Sequence, residues 1–239
     1  MKNVQRIFLT AVLICSVSLL KAQTADEVLN KHIEAIGGKA KVAGVTSVKT
    51  DITMQVMGND APSSTVILVG KGFKSEAEFQ GQKIVQIITD KGGWAMNPMA
   101  GSSDLQPIPD DQYKNAKEQI YFTPFLDYAA QGAKVELAGT EKVGDKDAFK
   151  IKYTSKDGIV TSYLFDPTSY YLVKTVKTGE MMGQSVEVST TYSDFKKTDY
   201  GVVIPYKTDI DLGGQFQLAY VTKKAEFNSA VDPAIFAVK

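Results

Sequence analysis

A two-residue alternation of apolar and polar side chains dominates the chain from about residue 46 onward. It is clearest where Phe73, Ala77 and Phe79 alternate with charged residues, and it recurs at Phe149 and Ile151. Successive side chains of a β-strand point to opposite faces, so this pattern indicates strands with one apolar and one solvated face. Glycine-containing turn signals separate the runs and predict an antiparallel meander of about eleven strands.

Helical patterns occur in two places, and the first includes a short second turn over residues 39–45. Thr24 and Glu27 have the spacing of a capping box, and apolar residues then recur on one face of a predicted helix over residues 26–36. The second place is an interruption of the strand pattern over residues 107–128, where Pro109 suits a first helical turn. The predicted fold is therefore mainly β: a curved antiparallel sheet, or incomplete β-barrel, with an N-terminal helix and a short helical insertion as a lid.

The amino terminus has the pattern of a secretory signal. Lys2 and Arg6 precede an apolar run over residues 7–20, and Ala22 offers a cleavage point. The run has 14 residues, fewer than the roughly 20 that a membrane-spanning helix needs. The only cysteine, Cys15, lies inside this run, where lipidation is not expected. We expect a cleaved signal over 1–22, a single domain over 23–239, a periplasmic location and no transmembrane anchor.

Composition narrows the classes of function. Without residues 1–22 the chain has 24 basic and 27 acidic residues, a net charge of −3, which argues against a nucleic-acid partner. His32 is the only histidine and Arg6 the only arginine, and no phosphate loop or hydrolase motif occurs. We predict neither catalytic residues nor a cofactor nor a metal. A hydrolase that uses carboxylates, and copper bound by methionine thioethers, remain weaker alternatives.

A sheet of this width has little predicted cover for its apolar face. Strongly twisted wide sheets curl, and curling around the apolar face makes a concave cavity that two short lids can close. The alternative is a closed or sandwiched sheet whose side chains fill the interior. Paired methionines, and the aromatic residues Trp94, Phe122 and Phe125 in predicted loops, favour a ligand cavity. The predicted lining is Leu29, Ile33, Met54, Val56, Phe79, Val85, Trp94, Met96, Phe122 and Phe125.

Several short segments, taken in order, resemble those of LolA-like outer-membrane lipoprotein-sorting proteins. They are TDKGGWAMNP at 89–98, YLFDP at 163–167, LVK at 172–174, YSDFK at 192–196 and DPAIF at 232–236. The resemblance implies an incomplete antiparallel barrel with a helical lid that accepts lipoprotein acyl chains in the periplasm. The well-known carrier of this family has a strand arginine near its cavity, whereas this chain has no arginine after Arg6.

Two functions follow as expectations. The first is a non-enzymatic periplasmic carrier or binding protein for lipoprotein acyl chains or other lipids, with an envelope protein as a possible donor or acceptor. The second is an envelope sensor or protein-interaction module with a filled core, because related folds also serve as sensor domains. The sequence indicates neither the lipid nor the oligomeric state.

Overall fold

The structure is a computed structural model that describes residues 23–181 and 184–238. The secretory signal expected over residues 1–22 lies outside these residues. Within the described part of the chain, no helix combines the length and the apolar character needed to span a bilayer.

Thirteen strands form one antiparallel sheet within the described residues. The strand order is β6-β5-β4-β3-β2-β1-β13-β12-β11-β10-β9-β8-β7, and the sheet is not closed, since β6 and β7 are its edges. The strands are β1 Ser47–Val56, β2 Asn59–Leu68, β3 Gly72–Phe79, β4 Gln82–Thr89, β5 Gly93–Asn97, β6 Ser102–Pro107, β7 Lys134–Val143, β8 Lys146–Thr154, β9 Val160–Phe165, β10 Leu172–Met181, β11 Gln184–Lys197, β12 Val203–Leu212 and β13 Phe216–Phe227.

The open, mainly β sheet is confirmed, but the expected count of eleven strands was too low. Strands β5 and β6 are only five and six residues long, and the 3-10 turn Pro98–Ala100 separates them. Runs this short show little alternation, and prolines and glycines flank them. The sequence pattern therefore predicted a loop in this region. Trp94, which we expected in a loop, lies in β5.

The helices are few and short. They are α1 Ala25–Ala35, α2 Lys39–Ala43 and α3 Asp110–Ala116, and the 3-10 turn Lys117–Ile120 extends α3. The predicted capping box is confirmed: the Glu27 amide donates to Thr24 Oγ1 at 3.2 Å, and the Thr24 amide donates to the Glu27 carboxylate at 2.9 Å. These two bonds satisfy amide groups that would otherwise lack partners at the start of α1.

Register connects one face of the sheet from the interior strand β1 to the edge strand β7. A single row of paired residues runs from β1 to β7, and we call the face on which it lies the inner face. The row is Val56, Leu218, Ile210, Thr190, Thr175, Tyr163, Ile151 and Leu137. Helix α1 packs on this inner face against β8 and β9, where Ile151 and Phe165 are fully buried. The part of the sheet under α1 is therefore filled core.

The outer face is covered in a different place. The C-terminal segment packs against β2 to β5, where Phe236 lies in a cluster with Val85 and Ile87. Gly72 permits this approach, because a Cβ atom there would lie 2.7 Å from the Phe236 ring. Strands β2 to β5 thus have apolar contacts on both faces.

Candidate ligand-binding cavity

Helix α3 crosses the inner face and reveals how strongly the sheet curls. The Tyr113 hydroxyl donates to the carbonyl of Thr89 in β4 at 2.9 Å, and Lys177 Nζ in β10 donates to the carbonyl of Asn115 at 3.3 Å. Six strands lie between β4 and β10, so a flat sheet would separate them by roughly 34 Å. Helix α3 has seven residues and is only about 10 Å long. The sheet must therefore curve around α3 as an incomplete barrel.

A cavity of about 930 Å³ lies between α3 and the inner face. Such a volume is within the range of small-molecule sites in proteins. Its roof comes from α3 and the following 3-10 turn, its walls from β4, β10, β11 and β12, and its rim from the turn before β9. The lining residues are Gln86, Asp111, Gln112, Asn115, Ala116, Gln119, Gly158, Ile159, Val160, Lys177, Thr178, Gly179, Ser185 and Leu212.

An apolar row leads away from this cavity across the inner face. Register pairs Val188 with Leu212, and Leu212 with Phe216, so the row crosses β11, β12 and β13. All three side chains are partly exposed. Phe216 in turn packs against a buried cluster that includes Met54 and Phe79. A hydrocarbon chain could therefore contact a continuous apolar surface from the cavity to β1.

Partly buried titratable groups lie on the inner face around the cavity, in β9 to β11 and in the 3-10 turn after α3. Burial lowers the pKa of Lys177 below its usual value, because the charged ammonium loses hydration. Burial also raises the pKa of Glu118, although the neighbouring hydroxyl of Tyr153 partly opposes the shift. The pKa values of Tyr163 and Tyr192 are raised by burial as well. Titratable groups thus lie on the inner face near the cavity, whereas the row toward β13 is apolar.

The structure brings three of the ten predicted lining residues together on the inner face. Met54, Val56 and Phe79 share one cluster near β1, at the far end of the apolar row. None of the ten lines the 930 Å³ cavity itself. Their role in ligand binding stays a prediction.

Four other predicted lining residues lie close to the helical covers. Leu29, Ile33 and Phe125 belong to the filled core between α1 and the sheet, with 2, 6 and 5% of their surface exposed. Phe122 packs beside them and also against the Phe227 ring, with 5.7 Å between centroids. Ile33 and Phe125 also line a separate groove of about 360 Å³ beside α1.

The remaining three, Val85, Trp94 and Met96, lie on the opposite face of the sheet. Register pairs Val85 with Met96 and with Glu76. These residues therefore lie on the face opposite to that of Phe79. They pack under the C-terminal segment with Phe236. The expectation that they share a surface with Met54 and Phe79 was therefore wrong. Strand β4 is apolar on both faces, so alternation alone could not assign a face to Val85.

Sequence reasoning missed Lys177 and Leu212, which line the cavity. A signal for Lys177 was present in the chain. Lys174 and Lys177 are three residues apart in one strand, so they must point to opposite faces. One of the two lysines therefore had to point inward.

Comparison with known proteins supports this fold. Models of protein families and curated protein sequences yield no match to the chain. Among solved structures, a LolA superfamily protein from Nitrosomonas europaea aligns with a TM-score of 0.59 and 13% identity over 91% of this chain and 99% of that one. A domain from Vibrio parahaemolyticus, described as that of an outer-membrane lipoprotein-sorting protein, aligns with a TM-score of 0.57 and 14% identity over 87% and 95%.

A DUF1329 family protein from Desulfovibrio piger aligns with a TM-score of 0.57 and 13% identity over 88% of this chain and 95% of that one. These alignments span nearly the whole of each protein. At such low identity they establish a shared fold. The LolA-like resemblance seen in the sequence is thus confirmed at the level of the fold.

Proposed function

We propose that the protein is a periplasmic, non-enzymatic carrier or binding protein for lipoprotein acyl chains or other lipids. The observation that carries the proposal is the partly exposed apolar row of Val188, Leu212 and Phe216 beside a 930 Å³ cavity on the inner face. Apolar side chains that adjoin a cavity are typical of sites for greasy ligands. The fold shared with a lipoprotein-sorting domain supports the same class of ligand. Export would depend on the signal expected over 1–22.

Transfer of acyl methylenes from water would drive binding. Each fully buried CH₂ contributes about 0.8 kcal/mol, which corresponds to roughly fourfold in affinity. The affinity for fatty acids should therefore rise with chain length until the apolar row is covered. Titration with fatty acids of increasing length, followed by calorimetry, tests this expectation. An affinity that does not depend on chain length would contradict the proposal.

A pair of tryptophan variants tests the location. Leu212→Trp should block the apolar row where it meets the cavity and weaken binding by at least about tenfold, because the larger side chain occupies the path of the hydrocarbon chain. The matched control is Gln217→Trp, since Gln217 pairs with Asp211 on the outer face of neighbouring β13. Circular dichroism and thermal unfolding verify that both variants fold. Equal binding by both variants would place the ligand elsewhere.

Native mass spectrometry of protein purified from the envelope without detergent would identify the cargo. A bound lipid or acylated peptide would support the carrier function. A clean apo mass that stays unchanged after incubation with lipid would instead favour an interaction module, an alternative that the filled core between α1 and the sheet favours.

A further inference from the structure

Lys177 is a cation on the inner face without an ion-pair partner among the described side chains. Register pairs it with Thr161 and Val188, which lie on the inner face. None of the ion pairs found within 4.0 Å among the described residues includes it, and its hydrogen bond is the long one, 3.3 Å, to the Asn115 carbonyl. An ammonium has three donors, so Lys177 retains capacity to bind a ligand.

The groups around Lys177 do not neutralise it by direct contact. Glu118 is a partly buried acid whose charge acts on Lys177, but none of the ion pairs found within 4.0 Å among the described residues joins the two, and burial raises the pKa of Glu118. The Tyr153 hydroxyl lies beside this carboxyl group. Asp111 also lines the cavity, but it is solvent-exposed in the first turn of α3, where water and salt screen its charge. A partly buried ammonium is costly to desolvate, and an anion in the cavity would offset this cost.

Lys177 stands at one end of the apolar row. Register continues from Lys177 to Val188, Leu212 and Phe216 without a break, so one line on the inner face carries a cation followed by three apolar side chains. Three strand spacings make this line roughly 14 Å long. A charged end joined to an apolar strip of that length matches the shape of an amphiphile with an acidic head.

We propose that Lys177 binds the anionic headgroup, a carboxylate or a phosphate, of an acidic amphiphile whose hydrocarbon chain lies along Val188, Leu212 and Phe216. This inference rests on the proposed function and adds a headgroup selectivity and a direction for the ligand. The headgroup lies beneath α3, and the tail points toward β13 and β1.

The test compares a fatty acid with the fatty alcohol of the same chain length, at pH 8, in calorimetric titrations. The protein should bind the acid roughly tenfold more tightly than the alcohol, because a charge-assisted hydrogen bond is added to the same apolar contact. Lys177→Gln should abolish this preference. Lys177→Arg should preserve it, and binding of the alcohol by Lys177→Gln should remain, which shows that this variant is folded. Lys174→Gln is the matched control, because Lys174 lies in the same strand and pairs with Leu164 on the outer face.

Each outcome separates the inference from the proposed function. Equal affinities for acid and alcohol, unchanged in Lys177→Gln, would overturn the headgroup assignment and leave lipid binding intact. Binding of neither ligand would overturn the proposed function itself. Acetate and inorganic phosphate, added at millimolar concentration, should compete only weakly. Strong competition by phosphate alone would overturn the amphiphile and indicate a site for a soluble anion.

Discussion

Acidification should destabilise this protein through its single histidine. Only 5% of the His32 surface is exposed, and the ring packs against Phe125 and Phe165 with centroid distances of 5.4 and 4.9 Å. Its Nδ1–H donates to the carbonyl of Tyr170 at 2.9 Å, which leaves Nε2 unprotonated in the neutral ring. Burial lowers the pKa of His32 from 6.5 to about 4.

The sign and size of the effect follow from this pKa. Between pH 6.5 and about 4 the unfolded chain binds a proton at His32 and the native protein does not, so the free energy of unfolding falls as the pH falls. The neutral His32 contributes roughly 3 kcal/mol to the free energy of unfolding at high pH, and about 2 kcal/mol of this contribution is lost between pH 7.5 and 5. Glu118 acts in the opposite direction, because its raised pKa stabilises the native state on acidification. Glu76 and Asp166 have lowered pKa values and lose their contribution only at lower pH.

Urea unfolding at pH 7.5, 6 and 5 measures this loss, with His32→Gln as the matched variant. Glutamine can still donate to the Tyr170 carbonyl but does not titrate, so the variant should be less stable at pH 7.5 and lose much less stability down to pH 5. The NMR shift of the single histidine ring should report a pKa near 4. Parallel pH dependences for the two proteins, or a ring pKa near 6.5, would refute the argument.

Two further predictions concern stability. Thr24→Ala should lower the free energy of unfolding by about 1 kcal/mol, because it removes the capping-box acceptor of α1. Thr24→Ser keeps a hydroxyl and should retain most of this stability. Equal losses for the two variants in urea unfolding would argue against the cap. Gly72→Ala should cost on the order of 1–3 kcal/mol, because its Cβ atom would lie 2.7 Å from the Phe236 ring. The cost should shrink in a Phe236→Ala background, and an additive double-mutant cycle would contradict this contact.

Local patterns predicted the elements of this fold better than they predicted its faces. The capping box at Thr24 and the turn signals are local, so they could be read directly from the chain. The face of a strand depends on what covers it. Val85 lies in β4, where Ile84 and Ile88 are inward and Ile87 is outward, and its cover comes from Phe236 at the far end of the chain. The residue pattern within β4 cannot predict that a segment so distant in sequence packs on one of its faces.

The open and filled alternatives describe different parts of the same sheet. Helix α1 fills the inner face over β8 and β9, and α3 with its 3-10 turn packs near β4. Among the described residues, Val188, Leu212 and Phe216 stay partly exposed between these two covers. A ligand held there would have its head under α3 and its tail near Met54, Val56 and Phe79. These three predicted lining residues should therefore influence the preference for chain length, whereas Lys177 should influence the preference for headgroup.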